Sequence, residues 1–172
     1  AADVLGLEET RQEYQEIADR QWRAVKEEYF TSTGRCAVKT QTGLILALKY
    51  HLSENEELTK QMMKKLLRDN KNKLNTGFVG TPLLCNVLTD HGMTDAAYRL
   101  LLNEEYPGWL YEVKLGATTV WERWNSLDEN GHVSSTGMNS LNHYSYGAVL
   151  EWIFCHAAGI DVTEQSPGGR VM

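Results

Sequence analysis

The sequence predicts an all-α protein built from antiparallel helical hairpins, and three observations carry that reading. Apolar residues recur at three- and four-residue steps through most of the chain. The links between these amphipathic segments are short, so neighbouring helices are expected to run antiparallel. Only residues 106–146 break the pattern, as a long excursion rich in aromatic, polar and glycine residues.

The first helix is expected over residues 8–30, where Tyr14, Ile17, Ala18, Trp22, Val25 and Tyr29 share one face; Trp22 and Tyr29 read as core. Gly34 marks the loop after it. Residues 42–50 are apolar almost all round, and Ile45 is their only β-branched aliphatic, which predicts a buried helix rather than a strand. Ser53-Glu54-Asn55-Glu56 has the form of a capping box. It opens a helix to about residue 70, with Leu58, Met62, Leu66 and Leu67 inside. Lys60, Lys64, Lys65, Lys71 and Lys73 follow Glu54, Glu56 and Glu57 and read as a solvated face.

The loop with Gly77 and Gly80 around Phe78 and Val79 reads as a structural turn. Thr81 is the candidate N-cap of the next helix, with Pro82 at its first position and His91-Gly92 as its stop. Further helices are expected from Thr94 to about Asn103 and from Tyr146 to Ala158, the latter with Val149, Trp152, Ile153 and His156 on one side. The last residues, from Ile160 on, carry turn residues but no partner. No fixed-period repeat is present. A nearly all-apolar helix followed by an amphipathic one suits part of an α/α barrel, with the 42–52 helix inner and the 53–70 helix outer.

A length of 172 residues suggests one domain with a core that needs no staples. The formal net charge of -6 argues against nucleic acid as a partner, since phosphate binding wants a basic face. Cys36, Cys85 and Cys155 are far apart and odd in number, and are expected to be reduced, partly buried thiols. The five histidines are dispersed without ligand spacing, so no metal and no other cofactor is expected. No apolar run reaches membrane-spanning length, and the first residues lack the form of a signal peptide, which leaves the compartment open.

Residues 106–146 carry three of the five tryptophans, Trp109, Trp121 and Trp124, with two histidines and a Trp-Glu-Arg-Trp run. Rigid aromatic faces there alternate with ionisable groups and flexible backbone. Sugar sites are built this way: C–H faces of the ring stack on indole, and hydroxyls take short oriented hydrogen bonds. Taken alone, Glu122 reads equally well as a surface carboxylate paired with Arg123, and His143 as a hydrogen-bonded structural histidine.

The run Gly116-Ala-Thr-Thr-Val-Trp-Glu-Arg-Trp124, followed by Gly137-Met-Asn-Ser-Leu-Asn-His-Tyr144 and Gly147, resembles the C-terminal half of the catalytic domain of bacterial α-L-rhamnosidases, glycoside hydrolase family 78. Thr40-Gln41-Thr42, Thr76-Gly-Phe-Val-Gly-Thr-Pro82 and Tyr106-Pro-Gly-Trp109 match in the same order. The resemblance covers essentially the whole chain. It implies the C-terminal half of an (α/α)6 barrel over residues 1–160, a tail at 161–172 leading toward a β-sandwich domain, and cleavage of terminal α-L-rhamnose with inversion. By match of position it places the general base on Glu122 and a sugar-contacting histidine on His143, 21 residues further on, with Trp121, Trp124 and Trp109 as pocket walls. Flanking indoles and Arg123 bear on the charge of Glu122 in opposite senses, the first by excluding water and the second by attraction.

The family's general acid lies in an Asp- and Arg-rich motif that this chain lacks, and none of Glu104, Glu105, Asp128 and Glu129 matches it. The resemblance therefore implies an excised portion of a larger hydrolase, inactive alone and prone to self-association through faces meant for the missing half of the barrel. Its substrate would be a rhamnose-containing oligosaccharide or glycoside. Two other readings stand beside this one: a helical module that binds sugar or protein without catalysis, and a different (α/α)6 glycosidase.

Overall fold

The computed structural model describes residues 1–171 apart from Thr136, Glu164 and Gln165, and of residues 162–171 the backbone only. Seven α-helices follow one another among the described residues: α1 (Glu8–Tyr29), α2 (Gln41–Lys49), α3 (Glu56–Asp69), α4 (Thr81–Asp90), α5 (Thr94–Leu101), α6 (Trp109–Lys114) and α7 (Val149–Trp152). A 3₁₀ turn leads into α7 and a π-helical turn, Ile153–Ala157, continues it. The expected helical hairpins are present. α2 packs on α3 and α4, α4 packs on α5, and α4 also meets α7. The apolar helices α2 and α4 thus lie side by side, while the amphipathic α3 and α5 each back onto one of them. That is the inner and outer layering of an α/α barrel.

The core is continuous across these helices. Leu44, Ile45 and Leu48 of α2, Met63 and Leu67 of α3, Leu84, Val87 and Leu88 of α4, Ala97 and Leu100 of α5, and Val149 and Trp152 of α7 form one buried cluster. The inward stripe of α3 runs through Thr59, Met63 and Leu67; of the expected Leu58, Met62, Leu66 and Leu67, Leu67 is buried as expected, while Met62 and Leu66 pack only at its margin. Two caps also differ from expectation. Asn55, not Ser53, caps α3: its Oδ1 accepts the Leu58 N–H at 3.0 Å. Ser53 is engaged instead as a buried donor to the Gly34 carbonyl, at 2.9 Å. At α4, Gly80 is the cap and Thr81 the first helical residue, because the Thr81 hydroxyl is tied to Thr76 Oγ1 at 2.8 Å. Gly80 is required by packing: a Cβ there would stand 2.4 Å from Thr42 Oγ1.

α1 forms as expected but buries no residue within this chain. Tyr14, Trp22 and Tyr29, placed on one inward face by periodicity, lie on the surface, with Trp22 37% exposed, its indole N–H tied to the His51 carbonyl and its ring under the Lys26 ammonium at 4.9 Å. Periodicity reports that a face is apolar and not which surface covers it. At the other end, the backbone of Ile160–Thr163 (β1) pairs antiparallel with Ser166–Val171 (β2). The tail, expected to lack a partner, finds one in its own second half; its Glu164, Gln165 and Met172 lie outside the described residues. Cys36 and Cys85 are free and buried, and Cys155 is free and partly exposed. No described helix is long and apolar enough to cross a membrane.

Gln41, at the start of α2, ties the helical layer to the loop that enters α4. Its side chain is 1% exposed; Nε2 donates to the Lys73 carbonyl and Oε1 accepts the Asn75 N–H, both at 2.8 Å. Gln41→Leu leaves a buried donor and acceptor unmade and is expected to cost about 2–4 kcal/mol in urea unfolding; an unchanged midpoint would show the clamp to be dispensable.

Candidate active site

Residues 106–146 wrap the end of the helical layer where α4 begins, and they do so mainly through backbone. The segment 119–122 lies antiparallel to 140–143. Val120 O accepts the His143 N–H at 2.8 Å, Ser140 O accepts the Glu122 N–H at 2.9 Å, and the Thr119 hydroxyl donates to Leu141 O. This pairing brings Glu122 and His143 onto neighbouring strands of chain despite their separation in sequence. The excursion between them closes on itself through a bridge between Leu127 and Val133 and a turn at Asn130-Gly131. Asp128 caps that turn, accepting the Asn130 and His132 N–H groups, and these bonds, the His132 one first, hold its carboxyl below the usual range. Ser126 and Asn139 clasp the base of the excursion, with Ser126 Oγ 2.6 Å from Asn139 Oδ1.

Aromatic side chains fasten this assembly to the helices. Trp124 stacks on Tyr146 with ring centroids 4.0 Å apart, and Trp109 meets Trp124 edge-on at 5.3 Å. The Trp124 indole N–H donates to Thr76 O and that of Trp109 to Tyr146 O, both at 2.9 Å. Phe78 lies flat against the His143 imidazole at 5.1 Å and edge-on to Tyr146 at 5.7 Å. The glycine-bracketed loop read as a mere turn therefore supplies one wall of the site. His143 Nδ1 accepts the Ser145 N–H at 3.2 Å, which leaves the proton of the neutral ring on Nε2 as a donor.

An open cleft of about 320 Å³ results, lined by Gly77, Phe78, Tyr106, Arg123, Trp124, Asn125 and Tyr146. Of the expected residues, Trp124 faces this cleft and His143 borders it through Phe78, whereas Trp109 stands behind Trp124. Trp121 is 2% exposed, so its rings are packed inside. Glu122 and Arg123 are both half-buried. They form no ion pair with each other, and among the described residues nothing hydrogen-bonds the Glu122 carboxylate. Tyr146 links the groups electrostatically: burial first, then the negative charges of Glu112 and Glu122, push its phenol up, while Arg123 opposes them. No cluster of three or more metal-ligating side chains occurs among the described residues.

Sequence reasoning missed both α6 and its most unusual residue. Six residues after a Pro-Gly pair are too few to show periodicity. Glu112 on that helix is 3% exposed; its Oε2 accepts the Trp121 N–H at 3.3 Å, and its buried Oε1 has no partner among the described residues. Burial pushes its carboxyl up to about 7, against the one stabilising contact from the Trp121 N–H.

Helical hairpins in inner and outer layers, with an aromatic cleft where a long loop meets the inner layer, are the architecture of a six-hairpin glycosidase domain. The chain belongs to the bacterial α-L-rhamnosidase six-hairpin glycosidase domain family, whose model matches residues 1–157. It is 41% identical over 162 residues to an α-L-rhamnosidase of Formosa agariphila, covering 92% of this chain and 18% of that protein. The native α-L-rhamnosidase of Aspergillus terreus superposes with a TM-score of 0.91 at 34% identity, over 97% of this chain and 20% of that one. The Streptomyces avermitilis α-L-rhamnosidase complexed with L-rhamnose superposes with a TM-score of 0.84 at 37% identity, over 89% of this chain and 15% of that one. The chain thus spans less than a quarter of the length of these relatives.

Because the Glu112 carboxyl is raised in the folded state, that state holds a proton the unfolded chain has released between pH 4.5 and about 7. Stability from this group is full below pH 4.5 and falls as pH rises through 7. Glu112→Gln is expected to raise stability at pH 8 by about 2–3 kcal/mol and to leave it unaltered near pH 4. Thermal unfolding across that range reads the difference, and a variant as pH-dependent as the parent chain would contradict it.

Proposed function

We propose that the chain is the base-bearing portion of an inverting α-L-rhamnosidase, with Glu122 as general base and with His143, Trp109, Trp121 and Trp124 forming or backing the rhamnose subsite. The observation that carries the reading is the Glu122 carboxylate, without a hydrogen-bond partner among the described residues, on a segment whose next residues Arg123 and Trp124 line the aromatic cleft and which pairs directly to the one bearing His143. A carboxylate without an internal partner is free to accept a proton from water, which is what inversion asks of a base. The exposed ring of Phe78, backed by the buried Trp124 and Tyr146, suits the apolar side of a deoxy sugar, and the His143 Nε2–H suits a hydroxyl. The substrate is a rhamnose-containing oligosaccharide or glycoside.

An inverting enzyme also needs an acid roughly 6.5–9.5 Å from its base to protonate the leaving oxygen. Glu112 is too deeply buried to reach substrate, and no other carboxylate of the chain matches the family's acid. The acid is therefore assigned to the N-terminal half of the barrel, absent from this chain. The uncovered apolar face of α1, through Tyr14, Ile17, Trp22 and Tyr29, is the surface that half would cover. Alone, the chain is expected to self-associate through it, and exclusively monomeric sedimentation at high concentration would contradict this.

Release of p-nitrophenol from p-nitrophenyl α-L-rhamnoside tests the reading. A form extended N-terminally through the acid-bearing region is expected to be active and to lose at least about 10²-fold on Glu122→Gln, while the isolated chain shows no turnover. Turnover by the isolated chain that Glu122→Gln abolished would overturn the divided-site account, and rhamnose binding with no turnover in either form would favour a binding module.

A further inference from the structure

We infer that Glu112 is a positioning residue for the proposed base: by closing on the Trp121 N–H, its buried carboxyl fixes the backbone from which Glu122 projects. The inference rests on the assignment of Glu122 as base, and its geometry is independent of that assignment. α6 ends at Lys114, Gly116 turns the chain in the left-handed region at φ +83°, and the Ala117 N–H returns to the Glu112 carbonyl at 3.1 Å. The chain then comes back across α6, so that Trp121 presents its N–H to the Glu112 side chain. Glu122 is consequently held from two directions: Glu112 grips the residue before it, and Ser140 O grips its own N–H.

A merely structural filler of this site would be apolar. A carboxyl there is desolvated, leaves Oε1 without a partner and has no basic side chain among the described residues near enough to compensate. Residues that work against local stability in this way concentrate at functional sites. Tyr146 is the titratable group facing it, and that phenol stays protonated through the neutral range. Ionised, Glu112 accepts a stronger, charge-assisted bond from Trp121 than it does when protonated. The segment bearing Glu122 is thus held more firmly as pH rises through about 7, while the fold as a whole loses stability over the same range.

The test uses the N-terminally extended, active form with Glu112→Leu, Glu112→Gln and, as control, Glu122→Gln, assayed on p-nitrophenyl α-L-rhamnoside from pH 5 to 9. Glu112→Leu, which removes the acceptor, is expected to lower kcat about tenfold with KM within about twofold. Glu112→Gln keeps an acceptor oxygen and is expected to retain kcat within about threefold while losing the component of the profile that titrates near pH 7. Unchanged kcat in the Leu variant, or a Gln profile identical to that of the parent, overturns the inference. Should Glu112→Leu fail to fold, the Gln profile decides alone. The Trp121 amide resonance gives a readout that needs no activity: it should titrate near pH 7 in the unsubstituted protein and not in Glu112→Gln. An amide that titrates in an enzyme insensitive to Glu122→Gln would refute the base assignment and leave the positioning contact standing; an amide that fails to titrate refutes the contact itself.

Discussion

The hydrogen bond from the Trp124 indole to the Thr76 carbonyl is the contact on which the site depends. It spans 48 residues and joins two bodies of different physical character. On one side lies a close-packed layer of helices whose register is set by apolar periodicity. On the other lies a loop held by its own backbone pairing, which would have no fixed place on that layer without an anchor. Thr76 is itself immobilised, because Gln41 clamps residues 73–75 from α2 and the Thr76 hydroxyl meets Thr81 at the head of α4. The stack of Trp124 on Tyr146 carries the same restraint into the segment that leads to α7.

Through this chain of contacts the helices determine where a half-buried carboxylate stands. Glu122 is two residues from Trp124 in sequence, and the pairing of 119–122 with 140–143 fixes its backbone beside Ser140, on the segment that also carries His143. None of these restraints comes from a regular helix or sheet; they combine bonds from side chains to backbone with backbone pairing, a hydroxyl pair and a ring stack. Such bonds are individually modest, but each satisfies a buried group that would otherwise be costly to leave unmade. The loop can therefore be irregular and still hold a defined conformation.

How much of this the sequence disclosed depends on the same distinction. Helices α1 to α5 and the 146–158 segment were legible because an apolar face repeats every three or four residues, whether or not this chain covers it. The cap of α3 was misplaced by two residues, since Ser53 and Asn55 are both good caps and only the tertiary bond from Ser53 to Gly34 decides between them. The solvent exposure of Trp22 could not be read either, because periodicity carries no information about which partner surface exists. Within the site, motif resemblance pointed to Glu122 and His143. The part played by Phe78 went unread because a glycine-flanked aromatic in a turn has no local signature. Glu112 was equally silent: a glutamate on a helix is ordinarily solvated, and its burial arises only when the chain returns at Trp121.

The central claim, that Glu122 acts as the base on a rhamnose held in the aromatic cleft, is tested most directly by a crystal structure of the N-terminally extended form with L-rhamnose. The account predicts the ring packed on Phe78 in the cleft that Trp124 and Tyr146 back, with a Glu122 oxygen about 3 Å from the anomeric hydroxyl of the β-anomer, the product of inversion. A sugar bound elsewhere, or an anomeric carbon turned away from Glu122, would contradict it.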